Sequence, residues 1–183
     1  MYIGRCPWKA GGIIVGGYLS KKKRRNDMPK LIMLVGLPGA GKSTFAKELA
    51  TKETAVILSS DALKEELFSG SYEEKNDPIV FHELYTRAFR NITKGINVIL
   101  DATNVKSETR VAALKRYSNC NCEKICYYIN TPIEVCRKRN SLRNKPVSDT
   151  VIMDLHESLE IPTVSEGFHK VCIVDWNRAI QKN

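Results

Sequence analysis

The chain has 183 residues, 43% of them hydrophobic and 27% charged, a composition that predicts one globular domain with a full core. No apolar run approaches the roughly 20 residues that cross a bilayer, so no membrane-spanning helix is predicted. The net charge of +9 suggests a nucleic-acid partner, but residues 1–30 hold eight basic residues and one acidic residue, whereas residues 31–183 hold 21 and 19. The charge of the whole chain therefore says little about what its core binds.

The first 29 residues differ from the rest in being rich in glycine and basic residues. We predict that residues 1–29 are a basic, disordered extension, that residues 30–183 form the domain, and that Met28 is the functional start. The basic run at 21–25 is a solvated tail, a nucleic-acid contact or a localisation signal. This run follows an apolar stretch instead of preceding it, unlike a secretory signal, so the six cysteines are expected to be reduced thiols of a cytoplasmic protein.

From residue 31 onward, short apolar runs alternate with helical patterns, which is typical of an α/β protein with a parallel sheet. Strands are predicted over residues 31–35, 55–58, 96–100, 124–129 and 171–174. Helices are predicted over 42–51, 62–68, 78–94, 107–117, 132–142 and 151–159. The core face of the longest helix is predicted to comprise Phe81, Leu84, Tyr85, Ala88, Phe89 and Ile92. Apolar surroundings predict that Cys126, Cys136 and Cys172 are core residues rather than metal ligands.

A phosphate-binding loop lies between the first strand and the first helix. Its residues are Gly36, Leu37, Pro38, Gly39, Ala40, Gly41, Lys42, Ser43 and Thr44. Glycines let successive backbone N–H groups point at one anion, and the helix N-terminus adds its positive dipole end. Lys42 is predicted to reach the β- and γ-phosphates of ATP, and the Ser43 hydroxyl to bind Mg²⁺. The loop predicts nucleotide binding but does not identify the acceptor.

Asp61 follows the second predicted strand, at the sheet edge that also carries the phosphate loop. Loops at the carboxyl ends of parallel strands line the ligand crevice of such sheets. The Asp61 carboxylate is therefore a candidate general base that accepts a proton from an attacking hydroxyl. A helix N-cap is the alternative role, and the two roles are compatible.

Asp101 follows the third predicted strand and is placed to hold Mg²⁺ through water, opposite Ser43. Thr103 and Asn104 come next, and they either bind substrate or shape the turn before the following helix. Arg110 is predicted to pair with a loop carboxylate in a structural role.

Arg139 and Arg143 are four positions apart and so share a helix face. Two guanidinium groups on one face suit the charge of a transferring phosphoryl group, which predicts a mobile lid over ATP. The alternative is a solvated basic helix. Pro146 is predicted to end this segment, and Ser148 and Asp149 to cap the next helix.

Taken together, these motifs resemble the polynucleotide 5′-hydroxyl kinases. The resemblance covers about residues 30–175 and is carried by the phosphate loop, Ser59-Ser60-Asp61, Asp101-Ala102-Thr103-Asn104, Arg139-Asn140-x-x-Arg143, Pro146-Val147-Ser148-Asp149 and Glu166-Gly167-Phe168. It implies a P-loop kinase fold with strand order 2-3-1-4-5.

The resemblance also implies roles for individual residues. Lys42 and Ser43 hold phosphates and magnesium, Asp61 activates the acceptor's 5′-hydroxyl, and Arg139 and Arg143 contact the donor phosphates. Lys64 stands where the bacteriophage enzyme has an arginine that contacts the acceptor phosphate; lysine keeps the charge but loses the two-pronged fork.

Three functions are compatible with these motifs. The first is a 5′-hydroxyl kinase that acts on the end of an RNA or DNA. The second is a kinase of a small-molecule hydroxyl, and the third is a nucleotide-dependent regulatory ATPase. Tyr72, Phe81 and Tyr85 are candidates for stacking on an acceptor base, although core packing is the alternative for Phe81 and Tyr85. The sequence leaves the oligomeric state open.

Overall fold

The computed structural model describes residues 28–175, so the predicted extension lies outside the described residues except for Met28 and Pro29. Strands and helices alternate along the chain. In chain order they are β1 (Lys30–Val35), α1 (Lys42–Glu53), β2 (Ala55–Ser59), α2 (Ser60–Phe68), α3 (Asp77–Thr93), β3 (Asn97–Asp101), α4 (Ser107–Lys115), β4 (Glu123–Asn130), α5 (Ile133–Ser141), α6 (Asp149–Glu157) and β5 (Lys170–Asp175). Short 3₁₀ turns at Glu74–Asn76 and Val164–Glu166 precede α3 and β5.

The five strands form one parallel sheet in the order β2-β3-β1-β4-β5, which confirms the predicted order. β1 lies in the centre, with Leu31 opposite Val98 on one side and Lys124 on the other. Because every strand runs the same way, the carboxyl ends of β1, β2 and β3 meet at one edge. The phosphate loop, Asp61 and Asp101 all follow strand ends at that edge.

Two hydrophobic cores cover the two faces of the sheet, and the alternation along β1 divides its residues between them. Leu31, Met33 and Val35 pack against α2, α3 and α4. Ile32 and Leu34 face α1 and α5. Helices on both faces bury a sheet that is apolar on both sides, as predicted for an α/β protein. No described helix is long and apolar enough to cross a membrane.

One prediction about α2 and one about α3 were wrong. Ser59, not Asp61, caps α2, since its side chain accepts a hydrogen bond from the Ala62 N–H and Asp61 already lies in the first turn. Along α3 the buried stripe is Val80, Leu84, Ala88 and Ile92, whereas Phe89 is 44% exposed. The three cysteines predicted to lie in the core are buried. Ser148 caps α6 as predicted.

Candidate active site

The phosphate loop is held in shape by backbone contacts with the segment that follows β3. The Gly36 N–H donates to the Thr103 carbonyl at 3.1 Å, and the Ala40 N–H donates to the Leu37 carbonyl at 3.0 Å. Gly41 has a φ of 101°, a left-handed conformation that glycine adopts without steric cost. The loop therefore turns sharply into α1, whose first residues Ser43 and Thr44 are exposed at the N-terminus.

Lys42 is buried and its ammonium donates to two carbonyls of the loop, those of Gly36 and Leu37, each at 2.9 Å. Burial lowers the pKa of Lys42 to about 8, and the nearby carboxylates of Asp101 and Asp61 oppose that shift. Both carboxylates are thus within electrostatic reach of the lysine that the sequence assigns to the phosphates. A phosphate group at the loop would offer the ammonium a stronger, charged acceptor than a carbonyl.

The first residues of α5 lie directly against the phosphate loop. A side-chain Cβ on Gly39 would come within 2.3 Å of the Cys136 carbonyl oxygen, so only glycine fits there. The Thr131 hydroxyl, just before α5, donates to the Ala40 carbonyl at 2.9 Å. Helix α5, which carries Arg139, is therefore seated on the loop that is predicted to hold the nucleotide. Arg143 lies beyond the end of α5, so the prediction that the two lid arginines share a helix face was wrong.

The two predicted lid arginines point toward this site. Arg139 Nη1 lies 3.7 Å from the position that a Cβ on Gly41 would take, which places its guanidinium over the end of the phosphate loop. Arg143 Nη2 lies 3.6 Å from Asp61 Oδ2. The segment between α5 and α6 thus bridges from the phosphate loop to α2.

Polar contacts give this lid segment a defined shape. The Asn140 side chain donates to the Val147 carbonyl at 2.8 Å and accepts from the Val147 N–H at 3.1 Å, which closes the loop between them. Arg137 holds Asp149 with two bonds of 2.7 Å, which ties α5 to α6. The lid segment is therefore a loop whose two ends are held to α5 and α6 by hydrogen bonds and an ion pair.

Asp61 is an exposed carboxylate, with 73% of its side chain accessible. Since Ser59 supplies the helix cap, neither Asp61 oxygen is used for capping. Its carboxylate forms an ion pair with the Arg143 guanidinium. An accessible carboxylate beside the phosphate loop can accept a proton from an incoming hydroxyl, and its proposed role as general base stays a prediction.

Ser43 and Asp101 are the two residues predicted to serve Mg²⁺. Asp101 is buried at the end of β3, and Ser43 is exposed at the start of α1. One hydroxyl and one carboxylate fit this ion, because Mg²⁺ retains several waters and takes few protein oxygens beside substrate phosphates. Within residues 28–175, no three or more His, Cys, Asp or Glu side chains lie close enough together to hold a metal ion. The cysteines near β4 therefore form no such group.

Asn104 and Arg110 support the strand-end segment that carries Asp101. Asn104 has a φ of 48°, and its side-chain amide donates to the Leu34 carbonyl at 2.8 Å. The Arg110 guanidinium donates to the Asn104 and Val105 carbonyls and forms two bonds with Glu166. Arg110 thus has the predicted structural role. Thr103 and Asn104 order the loop, and their binding of substrate stays a prediction.

Lys64 lies one turn beyond Asp61 on α2, but protein groups occupy its ammonium. Its Nζ lies 3.2 Å from Asp77 Oδ1 and 4.2 Å from the centroid of the Tyr72 ring. Asp77 also accepts a hydrogen bond from the Tyr72 hydroxyl. Its contact with an acceptor phosphate stays a prediction.

Sequence reasoning missed three supporting residues. Thr131 and Asp77 had no local signal, because their partners lie 91 and 13 positions away in the chain. Glu166 was visible only as part of a motif, and its pairing with Arg110 spans 56 positions.

The fold and the phosphate loop define a P-loop kinase-type phosphotransferase domain. A model of the AAA domain family matches residues 31–162, and the chain belongs to that family.

Three curated proteins show where similar sequences occur. The chain is 28% identical over 143 residues to L-seryl-tRNA(Sec) kinase of Methanococcus maripaludis, with 72% of this chain and 53% of that protein covered. It is 27% identical to protein kti12 of Schizosaccharomyces pombe, at 72% and 52% coverage. It is 22% identical to the bifunctional polynucleotide phosphatase/kinase of the same yeast, at 81% and 34% coverage. The chain thus spans about a third to a half of these relatives.

Solved structures show the same fold. Kti12 of Chaetomium thermophilum in complex with ADP-AlF3 superimposes with a TM-score of 0.66 at 19% identity, covering 80% of this chain and 89% of that one. A chain of the Pnkp1/Rnl/Hen1 RNA repair complex superimposes with a TM-score of 0.63 at 24% identity, covering 76% and 48%.

Proposed function

We propose that this domain is an ATP-dependent kinase that transfers the γ-phosphate to a hydroxyl, and that the acceptor is the 5′-hydroxyl of a polynucleotide. One observation carries the proposal: charged side chains from four separate segments converge beside the phosphate loop. They are Lys42, Asp61, Asp101, Arg139 and Arg143. Three cations and two carboxylates at one sheet edge match the needs of phosphoryl transfer.

On the donor side, the N–H groups of the phosphate loop and the Lys42 ammonium bind and orient the β- and γ-phosphates. Ser43, and Asp101 through water, would hold Mg²⁺, which when bound draws charge from the phosphate oxygens. Arg139, above Gly41, adds a guanidinium on the open side of the loop. These groups neutralise the charge that spreads over the transferring phosphoryl oxygens.

On the acceptor side, Asp61 accepts the proton of the attacking hydroxyl. The hydroxyl oxygen forms a bond to the γ-phosphorus, and the bond from that phosphorus to the β–γ bridging oxygen breaks, which leaves ADP. Asp61 then returns the proton to solvent. Arg143 lies 3.6 Å from this carboxylate, and its guanidinium can turn from Asp61 toward the phosphates when the nucleotide is bound.

Two relatives support a nucleic-acid acceptor. The name of one relative specifies a tRNA-linked seryl group, and the name of the other specifies a polynucleotide. The sequence motifs that resemble the 5′-hydroxyl kinases favour the polynucleotide end over the other acceptors.

The test is label transfer from γ-labelled ATP to a 5′-hydroxyl oligonucleotide. Asp61→Asn should lower the transfer rate about 10²–10⁴-fold while ATP binding stays intact, because it removes only a general base. Lys42→Met should weaken ATP binding as well. Asp154→Asn, the same change at an exposed position of α6, is the matched control and should leave the rate unchanged. Absence of label on the wild-type reaction, with ATP still hydrolysed, would remove the polynucleotide acceptor.

A kinase of small-molecule hydroxyls is the second candidate, favoured by the state of Lys64. Because Asp77 and Tyr72 already engage its ammonium, Lys64 is less available for a nucleic-acid phosphate next to the acceptor hydroxyl. An acceptor without such a phosphate makes no demand on it. Transfer to a sugar or nucleoside hydroxyl that an oligonucleotide does not inhibit would favour this function.

A further inference from the structure

The outer face of α3 carries a row of aromatic side chains beside its buried stripe. Phe81, Tyr85 and Phe89 recur every four residues, one position after Val80, Leu84 and Ala88. The Phe81 and Tyr85 ring centroids lie 6.0 Å apart. The three rings are only partly covered by the core, and Phe89 is 44% exposed. α3 therefore presents aromatic surface to solvent.

A groove of about 370 Å³ runs beside this row, lined by Tyr85, Thr86, Phe89, Arg90 and Arg116. Arg116 comes from the end of α4 and lies over the Tyr85 ring, 5.3 Å from its centroid. The next residue, Tyr117, anchors the junction by donating from its hydroxyl to the Tyr85 carbonyl at 3.0 Å. The groove thus lies between α3 and the end of α4, and both aromatic and arginine side chains line it.

The two arginines of the groove carry charge that nothing in the described part of the chain neutralises. Arg87, nearby on α3, forms ion pairs with Glu66 and Glu83. Within residues 28–175 neither Arg90 nor Arg116 has a carboxylate partner. Two unpaired guanidinium groups beside exposed rings favour a ligand that offers both anionic groups and planar faces, which single-stranded nucleic acid does.

The row also starts at the acceptor end of the candidate active site. Asp77, the first residue of α3, pairs with Lys64 on α2, one turn from Asp61. Phe89 is 12 positions further along α3, which corresponds to about 18 Å of helix. A strand whose 5′ end lies at Asp61 would reach the groove only if it were several nucleotides long.

We propose that the groove of Tyr85, Phe89, Arg90 and Arg116 binds the single-stranded part of a polynucleotide acceptor, several nucleotides from its 5′ end. Phe89 stacks on a base, and the two guanidinium groups contact backbone phosphates. This inference rests on the proposed function and specifies how that function selects long acceptors over short ones.

The experiment compares a 12-nucleotide and a 3-nucleotide single-stranded oligonucleotide with Phe89→Ala and with the double variant Arg90→Gln/Arg116→Gln. Both variants should raise the Kd of the 12-mer, measured by fluorescence anisotropy, about ten-fold. The double variant should also reduce the slope of log K against log salt by about 1.4, as expected when two phosphate contacts are lost from a single strand. Phosphorylation of the 3-mer should not change.

Lys94→Gln/Lys115→Gln is the matched control, because it also removes two charges, from exposed lysines at the ends of α3 and α4 that do not line the groove. A control variant that loses as much affinity and as much salt slope as the double variant would overturn the inference, since only total charge would then matter. Unchanged 12-mer binding in Phe89→Ala, or equal wild-type binding of a poly-glutamate peptide of the same charge, would overturn it too.

Failure of the inference and failure of the proposed function give different results. If wild type and groove variants transfer label equally well to both oligonucleotides, the inference about the groove is wrong and the proposed kinase function still holds. Binding of the 12-mer that requires Phe89 and both arginines, without label transfer to any oligonucleotide, supports the groove and removes the function.

Discussion

The Arg110 guanidinium forms a two-pronged ion pair with the Glu166 carboxylate, 2.6 Å from Nε to Oε2 and 2.7 Å from Nη2 to Oε1. Arg110 is completely buried and Glu166 nearly so. The remaining nitrogen, Nη1, donates to the Asn104 and Val105 carbonyls. This pair therefore links the turn before β5 to the segment that carries Asp101 and supports the phosphate loop.

Removal of one partner should be severely destabilising. Glu166→Gln leaves a buried guanidinium without its counter-charge, and we expect a loss of about 3–5 kcal/mol in the free energy of unfolding. Urea denaturation measures it. Glu73→Gln, which breaks the exposed pair with Lys75, is the control and should cost under about 1 kcal/mol. Equal losses in the free energy of unfolding in the two variants would show that burial does not make the Arg110–Glu166 pair more important for stability than an exposed pair.

Two glycines with similar backbone angles should respond differently to alanine. Gly39 has a φ of 81° and Gly70 a φ of 89°, so both substitutions strain the backbone by about 1–2 kcal/mol. Only at Gly39 does the new Cβ meet backbone, the Cys136 carbonyl at 2.3 Å; at Gly70 it meets nothing within 4 Å. Gly39→Ala should therefore abolish ATP binding in a calorimetric titration, and Gly70→Ala should preserve it. Retained binding in Gly39→Ala would contradict the close seating of α5.

The pKa of Lys42 predicts proton uptake when ATP binds. Burial lowers this pKa from 10.5 to about 8, so the free protein loses the ammonium proton as the pH rises through 8. Burial of the charged lysine lowers the free energy of unfolding in full below pH 8, and this destabilisation disappears as the pH rises from 8 toward 10.5. Bound phosphates favour the charged form and raise the pKa, so uptake should occur above pH 8 and nearly vanish at pH 7.

Calorimetry in buffers of different ionisation enthalpy measures this uptake at pH 7 and pH 8.5. Lys42→Met should abolish the difference between the two pH values. Equal uptake at both would contradict the lowered pKa.

Two exposed lid contacts to α2 should differ in function. Arg143 lies against Asp61 at 3.6 Å, and Lys145 lies against Glu65 at 3.0 Å. Only the first reaches a group assigned to chemistry. Arg143→Gln should lower kcat about 10²-fold or more, whereas Lys145→Gln should change it less than about three-fold. Single-turnover kinetics would separate the transfer step from product release. A large effect of Lys145→Gln alone would identify lid docking, rather than phosphate contact, as the role of this segment.

Much of this architecture was predictable from local patterns. Apolar runs located all five strands, and the phosphate loop was evident because its glycines, lysine and serine fall at set spacings between a strand and a helix. Strand order came from the resemblance of the motifs to known kinases, not from periodicity. The convergence of Asp61, Asp101 and Lys42 followed from their positions at the carboxyl ends of parallel strands.

Only the tertiary structure decided the rest. Two apolar stripes on α3 lie one position apart and have the same period, so the sequence alone could not show which one is buried. In the structure, Val80, Leu84 and Ala88 pack against the sheet. Their side chains are smaller than the aromatic ones and allow the helix to lie closer to the sheet. The Arg110–Glu166 pair depends on contacts between segments 56 positions apart. Local sequence determined the secondary structure and the phosphate loop because both depend on short-range backbone geometry. The partners of the charged side chains depended on how the helices pack.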